Sequence, residues 1–290
     1  MGSLATRRVS SWRTALRLGR VSNLPTVWSN VIAASALAGG GSVASIITAA
    51  AAISLMYVAG MFLNDAFDRD IDAQERPERP IPAGEVTADV VFVVGYSLLV
   101  FGIVGLAALS QEAGLAGLAL GAAILVYNWH HKANPVAPFV MGLCRALVYV
   151  AAALAVAREL STEVVLPARA LLAYVAALTF AARLENIDRV ASLWPLPLLA
   201  APAVVALAHG AVSVLAFIIL AMLAVCAVRV TTLLRRRGAG DVSRAVALLI
   251  AAISLNDALF ATTTDVHYAP LACLVCFALT LVLQRYVPAT

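Results

Sequence analysis

Apolar runs of about 20 residues recur along the whole chain, and this recurrence restricts the fold more than any other feature of the sequence. A helix of that length crosses the ~30 Å hydrocarbon core of a bilayer. Only 12% of the 290 residues are charged, about half the share of a soluble domain. The runs also lack the apolar-polar alternation of membrane barrel strands. The sequence therefore predicts an all-α polytopic membrane protein.

Ten apolar segments predict a bundle of nine or ten transmembrane helices, with residues 1–290 forming a single transmembrane domain. The number depends on whether the short seventh segment and the ninth each cross the membrane. Basic residues gather before the first segment and after the second, fourth, sixth and eighth. The prediction is a plasma-membrane protein in which these connections lie on the cytoplasmic side. The segments are 22–39, 43–63, 88–110, 113–129, 136–157, 166–182, 193–209, 211–230, 243–262 and 267–286.

The basic N-terminal segment, residues 1–20, is predicted to lie along the membrane interface. As a helix it places Arg13, Arg17 and Arg20 on one face and apolar side chains on another, which suits an anionic headgroup layer. An ordinary positive-inside flank explains the same residues equally well. Because the basic residues lie where topology requires them, the net charge of +4 does not indicate a nucleic-acid partner.

An acidic stripe follows the second apolar segment, in NDAFDRDIDAQERPERPIPAG at 64–84. Like charges at helical spacing repel, and a carboxylate near the bilayer carries a desolvation cost of up to ~3 kcal/mol. A divalent cation would neutralise the stripe, and oxygen ligands indicate Mg²⁺, Mn²⁺ or Ca²⁺ rather than zinc. A solvated loop of mixed charges is the alternative, but it does not explain the one-sided spacing. The stripe consists of Asn64, Asp65, Asp68 and Asp72, whereas Asp70 lies off that face.

The length of the stripe predicts the kind of ligand. Asp65 and Asp72 lie ~10 Å apart along a helix axis, which suits two ions bridged by a ligand better than one closed cage. Mg²⁺ prefers a few carboxylates together with phosphate oxygens, so the stripe predicts a diphosphate. Arg76 and Arg79 follow closely and are expected to contact phosphate oxygens directly.

These residues resemble the first aspartate-rich motif, NDxxDxxxD followed by RPxRPIPxG, of the UbiA superfamily of intramembrane prenyltransferases. RVSNLPTVWSN at 20–30 is similar to the first helix of the family, and YNWHHK at 127–132 to its tyrosine-to-lysine segment. The whole pattern is nearest the EboC-like branch. The resemblance implies a helical bundle around a central cavity, where two Mg²⁺ ions hold an allylic isoprenyl diphosphate between two acidic motifs.

The resemblance also implies residue roles. Asn64, Asp65, Asp68 and Asp72 would bind metal, with Asp65 and Asp68 also catalytic, and Lys132 would bind a diphosphate oxygen and act in catalysis. Lys132 is the only lysine among 20 basic residues, which suggests a role that an arginine fork cannot fill, although chance is the alternative.

The second acidic motif departs from the family pattern. In ARLENIDRV at 182–190, Glu185 and Asp188 lie one turn apart at the expected place and would complete the metal site. A short surface loop is the alternative reading of this pair. The Gly-Asp pair that usually follows in the family is missing, which puts the second metal ion in question.

Several polar residues inside or beside the apolar segments are further candidates for substrate binding. Arg145 needs a carboxylate or phosphate partner, either the diphosphate, an anionic acceptor or Asp257. Arg20 and Asn23 resemble positions near the acceptor in relatives, and the ring of Tyr127 is of the kind that stabilises an allylic cation.

Polar groups in two other places are given structural roles. Asn256 and Asp257 are expected to face the cavity or another helix, and His130 and His131 are expected at the interface. Leu-Asn-Asp occurs both at 63–65 and at 255–257, but the flanking residues do not match, so no repeat is predicted.

The predicted function is an Mg²⁺-dependent prenyltransferase, with two ions and Mn²⁺ as a substitute, that transfers a prenyl group to an unidentified aromatic or other small acceptor. A membrane terpene cyclase and a non-catalytic lipid- or cation-binding protein stay open as alternatives. A transporter is disfavoured because the polar residues gather at one membrane face and not at the midplane. The Ala-, Val-, Leu- and Arg-rich composition indicates a GC-rich bacterial genome.

Overall fold

A computed structural model describes residues 11–131, 134–183, 196–236 and 238–288. Within these ranges the chain is helical and contains no β-strand, which confirms the predicted all-α class. The α-helices of the described ranges are α1 Ser11–Leu18, α2 Leu24–Leu37, α3 Val43–Phe67, α4 Arg69–Glu75, α5 Ala88–Ala107, α6 Gln111–His130, α7 Ala137–Leu154, α8 Thr162–Arg183, α9 Ala201–Ala208, α10 Val214–Arg236, α11 Asp241–Ala261 and α12 Ala269–Leu283.

Among the described residues, seven helices are long and apolar enough to cross a membrane: α3, α5, α6, α7, α8, α10 and α11. Three shorter helical segments occupy the remaining predicted positions, namely α2, α12, and α9 with the 3-10 turn Leu196–Ala200 before it. The polytopic membrane architecture is confirmed. The number of nine or ten transmembrane helices stays a prediction.

The helix ends follow from local sequence. The hydroxyl groups of Ser42 and Ser110 accept hydrogen bonds from the third residue of α3 and α6, the usual arrangement of an N-cap. Pro25 and Pro138 occupy the first turn of α2 and α7, where a missing amide hydrogen costs nothing.

The helices divide into an interior group and a peripheral group. In α11, 78% of the most apolar window is buried within the bundle, compared with 22% in α10 and 28% in α5. Most residues of α2 are also buried. The outer faces of α5 and α10 expose large apolar side chains, which suit contact with lipid.

Close packing of α5 holds α3 in place. A side chain at Gly102 would collide with Met56, and one at Gly95 would lie 2.9 Å from Leu63. Small residues let two helix backbones approach in this way. The end of α3, which carries the acidic stripe, therefore projects from a fixed position in the bundle.

Candidate active site

The acidic stripe extends across the junction of α3 and α4, which meet at Asp68. The amide of Asp68 donates to the carbonyl of Asn64 at 3.0 Å, and the amide of Asp72 to that of Asp68 at 2.8 Å. The helical register therefore runs through the junction. Asp65, Asp68 and Asp72 are all buried, whereas the side chain of Asp70 is 83% exposed.

Two arginines from separate segments bind this buried stripe. Nη1 of Arg79 lies 2.7 Å from Oδ2 of Asp72 and 3.4 Å from Oδ1 of Asp65. Nη2 of Arg20 lies 3.2 Å from Oδ1 of Asp65 and 3.4 Å from Oδ1 of Asn64. Two candidate phosphate ligands therefore lie directly against the candidate metal ligands.

A polar cavity of about 300 Å³ opens beside these contacts. Four arginines and two acidic residues contribute to its lining, so its charge favours an anionic group. The predicted residues Arg20, Asp65, Arg76 and Arg79 all take part. The lining consists of Arg17, Arg20, Asp65, Arg76, Glu78, Arg79, Pro80, Ser243 and Pro288.

The N-terminal helix α1 closes one side of this polar cavity. Arg17 donates to Oε1 of Glu85 at 2.9 Å and to the carbonyl of Glu78 at 3.0 Å, which ties α1 to the connection after α4. Arg20 follows with φ of 42°, the one positive value outside glycine among the described residues. Such a conformation costs ~1–3 kcal/mol and is concentrated at functional sites. Here it turns the chain from α1 into α2 at the residue that contacts Asp65.

Two residues beside the stripe were missed or misread from the sequence. Nδ2 of Asn64 donates to Asn128 at 3.3 Å, and Asn128 in turn donates to the carbonyl of Gly60 at 3.1 Å. Nε2 of His131 lies 3.3 Å from Oδ2 of Asp68, so this residue is part of the site and not only an interfacial residue. Both residues belong to YNWHHK at 127–132, the segment that resembles the family and contains Tyr127 and Lys132, and this position could have indicated a role in the site.

An inner cavity of about 100 Å³ lies between α2, α3, α6, α7 and α8. It is mainly apolar, and Asn128 connects its wall to the acidic stripe above. Tyr127 lines it and stacks on His131, with 5.0 Å between ring centroids. The other polar or sulfur-containing lining residues are Met56, Tyr57, Met61, Met141, Cys144 and Arg145.

Arg145 reaches Asp257 indirectly. Its Nη1 donates to Oδ1 of Asn30 at 2.7 Å, and the amide nitrogen of Asn30 lies 2.7 and 2.9 Å from the two carboxylate oxygens of Asp257. Ser29 and Tyr149 each donate to the same carboxylate at 2.6 Å. Arg145 therefore lines the inner cavity and is linked to Asp257 through a neutral amide, whereas its contact with a diphosphate or an anionic acceptor stays a prediction.

Asn23 does not line either cavity, although its side chain hydrogen-bonds Tyr57 of the inner cavity wall. It is buried, and its Oδ1 accepts a hydrogen bond from Gln284 of the segment after α12 at 3.2 Å. Its predicted role in substrate binding stays a prediction.

Three predicted site residues, Lys132, Glu185 and Asp188, lie outside the described residues. The flanking chain is described, however. Arg183 at the end of α8 donates to the carbonyl groups of His131 and Asn134, both at 3.0 Å. The described residues that precede Lys132 and those that precede Glu185 and Asp188 therefore lie next to each other, beside the acidic stripe.

The donor chemistry of the stripe fits a hard divalent cation. Asn64, Asp65, Asp68 and Asp72 present only oxygen ligands, apart from the amide nitrogen that Asn64 uses toward Asn128. Within the described part of the chain, no three His, Cys, Asp or Glu side chains are grouped to hold a single ion. Among the described residues the stripe thus forms an open row of oxygen ligands and not a closed cage.

A model of the UbiA prenyltransferase family matches residues 22–234. The chain belongs to this family. Digeranylgeranylglyceryl phosphate synthases are similar over shorter stretches: that of Ignicoccus hospitalis is 41% identical over 96 residues, and that of Methanopyrus kandleri 30% identical over 130 residues. These stretches cover 33% and 44% of this chain. They span 31% and 48% of the relatives, so less than half of either.

Solved structures of family members share the fold over most of the chain. A UbiA homolog from Aeropyrum pernix K1 has a TM-score of 0.63 at 21% identity, covering 83% of this chain and 96% of that one. A UbiA homolog from Archaeoglobus fulgidus bound to GPP and Mg²⁺ has a TM-score of 0.61 at 16% identity, covering 91% and 99%. These structures show the shared fold, the match of the family model confirms the predicted family, and the EboC-like branch stays a prediction.

Proposed function

We propose that this chain is an Mg²⁺-dependent intramembrane prenyltransferase that ionises an allylic isoprenyl diphosphate and transfers the prenyl group to an acceptor. One observation carries the proposal: three buried carboxylates on a single helical face adjoin a polar, arginine-lined cavity, with an apolar cavity beneath them. A ligand with a charged head and an apolar tail matches this arrangement of a polar cavity next to an apolar one.

The diphosphate head is assigned to the polar cavity. Asn64, Asp65, Asp68 and Asp72 would hold one or two Mg²⁺ ions, with Mn²⁺ as a possible substitute, and Glu185 and Asp188 would complete the set. Bound metal supplies Lewis-acid stabilisation of the leaving diphosphate. Arg20, Arg76 and Arg79 bind the phosphate oxygens, and Lys132 adds a further positive charge as the leaving group departs.

To bind phosphate oxygens, Arg79 and Arg20 must first release the carboxylates that they contact in the structure. In the structure both bind carboxylates, and their side chains are 16% and 19% exposed. A metal ion would take over neutralisation of Asp65 and Asp72, and the two guanidinium groups would turn toward the phosphates. The arginines thus offset part of the negative charge of the stripe without metal and would serve the diphosphate when metal is bound.

The inner cavity is assigned to the reacting end of the prenyl chain. The apolar lining excludes water, and the rings of Tyr57 and Tyr127 face the cavity, where their π faces stabilise an allylic cation. The C–O bond breaks with its electron pair leaving on the diphosphate, and the acceptor attacks the cation and loses a proton. Arg145, held by Asn30, provides a cationic contact for an anionic acceptor.

A binding measurement tests this proposal. We expect purified protein to bind a panel of allylic diphosphates of increasing length more tightly with Mg²⁺ than with a chelator. Asp68→Asn should abolish that difference, because it removes a buried metal ligand. The matched control is Asp70→Asn, the same change on an exposed side chain two residues away. Equal binding with Mg²⁺ and chelator would overturn the proposal.

Pyrophosphate release separates the remaining alternatives. Release only in the presence of an acceptor supports transfer, whereas release without one supports a terpene cyclase or a hydrolase. Binding without any release supports a non-catalytic lipid- or cation-binding protein. We further propose a single domain over residues 1–290, with the site on the cytoplasmic side of a bacterial plasma membrane, since the basic connections adjoin it.

A further inference from the structure

An apolar groove of about 380 Å³ lies beside α8 and shares no lining residue with the inner cavity. Adjacent residues of α8 face the two spaces, Val175 the inner cavity and Tyr174 the groove. Buried residues of α8 and α11 form the floor of the groove. The peripheral helix α10 and the segment 196–208 form its two walls.

The groove runs along most of α10. Its lining includes Leu220, Ala224, Ala227 and Leu234, which recur at the spacing of a single helical face. The distance from the first to the last of them is ~21 Å along the helix axis, about two thirds of the thickness of a bilayer core. This shape suits an extended hydrocarbon chain that lies parallel to the helices.

One side chain in the groove has an unused hydrogen-bonding group. Asn256 is 2% exposed, lines the groove floor, and its Nδ2 has no hydrogen-bond partner among the described residues. The other two hydroxyl or amide donors of the described lining are occupied: Tyr174 donates to the carbonyl of Leu249, and Thr231 to that of Ala227, both at 2.8 Å. A buried amide without a partner is unfavourable, so an oxygen atom of a ligand is expected there.

The charge of the lining restricts that ligand further. None of the described groove residues is charged, so a charged headgroup would be buried without a counter-ion. The amide can donate to a carbonyl or, after rotation about its last torsion, accept from a hydroxyl. The shared chemistry is an uncharged oxygen on a long apolar chain.

We propose that this groove binds the hydrocarbon chain of a membrane lipid that carries one uncharged oxygen, a hydroxyl or a carbonyl, hydrogen-bonded to Asn256. The groove is separate from the two cavities assigned to the allylic diphosphate, because it shares no lining residue with either of them. Binding there requires neither Mg²⁺ nor a diphosphate.

Photo-crosslinking of the purified chain in detergent tests this site. The probe is hexadecanol with a diazirine in its chain, and the readout is the yield of adducts on residues 220–234 by peptide mass spectrometry. We expect unlabelled hexadecanol or methyl hexadecanoate to displace the probe about fivefold better than hexadecane, the effect of one hydrogen bond. The better of the two oxygen compounds identifies hydroxyl or carbonyl as the bound group.

Two variants provide the controls. In Asn256→Leu, hexadecanol and methyl hexadecanoate should displace the probe no better than hexadecane does. Ala224→Phe should remove the competable adduct by filling the groove, whereas Ala221→Phe, on an exposed position of α10 outside the groove, should preserve it. Equal competition by hexadecane in the unmodified chain would overturn the proposal, as would an unchanged preference in Asn256→Leu or equal loss in both phenylalanine variants.

Discussion

The tripeptide Leu-Asn-Asp occurs twice in this chain, and its two copies have opposite surroundings. In the copy at 63–65, Asp65 contacts Arg20 and Arg79 and borders the polar cavity. In the copy at 255–257, Asp257 is fully buried and accepts hydrogen bonds from the neutral hydroxyl and amide groups of Ser29, Asn30 and Tyr149. The same three residues thus form part of a candidate metal site in α3 and part of an internal network in α11.

The two copies differ in how exposed the partners of the carboxylate are. The arginines at Asp65 are partly exposed and come from long side chains, so a cation can replace them. The donors at Asp257 belong to short or fully packed side chains of α2 and α7, which have no room to withdraw. A carboxylate with exchangeable charged partners suits ligand binding, whereas one with fixed neutral donors stabilises helix packing.

The largest expected effect distinguishes the two copies by activity. Asp65→Asn should lower prenyl-transfer activity about a thousandfold, because it removes a ligand of the metal that stabilises the leaving group. The free energy of unfolding should change by less than about 1 kcal/mol, since the amide can still accept hydrogen bonds from the arginines. Pyrophosphate release and thermal unfolding measure the two quantities. Activity close to that of the unmodified chain would contradict the assignment.

The matched change in the other copy should act mainly on stability. Asp257→Asn is expected to destabilise the fold by about 3 kcal/mol, because Arg145 loses its nearest buried negative charge. The new amide nitrogen also opposes the donor from Asn30. Denaturant-induced unfolding in mixed micelles measures the loss. An unaltered free energy of unfolding would show that Asp257 does not hold α11 against α2 and α7.

A pair of tyrosines tests whether the charge of Asp257 matters. Tyr149→Phe removes a donor to this carboxylate and should cost about 2 kcal/mol, whereas Tyr174→Phe removes a donor to a backbone carbonyl and should cost about 1 kcal/mol. Both side chains are buried, so the lost packing is comparable. Equal losses in the two variants would mean that Asp257 is neutral.

The smallest expected effect concerns the exchangeable arginines. Arg79→Gln should raise the KM for the allylic diphosphate about tenfold, the loss of one charge-assisted contact. Arg69→Gln is the control, because among the described residues Arg69 forms an ion pair only with the exposed Asp70, at 3.6 Å. Steady-state kinetics measures both. If the two variants have the same KM, Arg79 serves the carboxylates alone.

Local periodicity was sufficient to predict the acidic face. The burial of Asp65, Asp68 and Asp72 and the exposure of Asp70 follow from helical spacing that survives the junction at Asp68. The apolar segments were predicted in the same way, as with 243–262, which corresponds to α11 at Asp241–Ala261. The segment at 193–209 differs, because Ala200 ends a 3-10 turn and α9 has only 8 residues.

The partners of these residues were not predictable from spacing. Asn30 and Asp257 are 227 positions apart, and Arg145 and Asn30 are 115 apart. No periodic pattern relates such residues, because their contact depends on how α2, α7 and α11 pack. For the same reason the contact of Asn128 with Asn64 was not predicted, and His131 was predicted at the membrane interface and not in contact with Asp68.

The amino-acid sequence by itself determined the apolar helices and the face of the stripe, because hydrophobicity and the helical repeat act over a few neighbouring residues. Only the tertiary structure decided which Leu-Asn-Asp copy meets arginines at a cavity and which is enclosed by neutral donors. The surroundings of a carboxylate depend on which helices lie beside it, and helix packing joins residues that are distant in the chain.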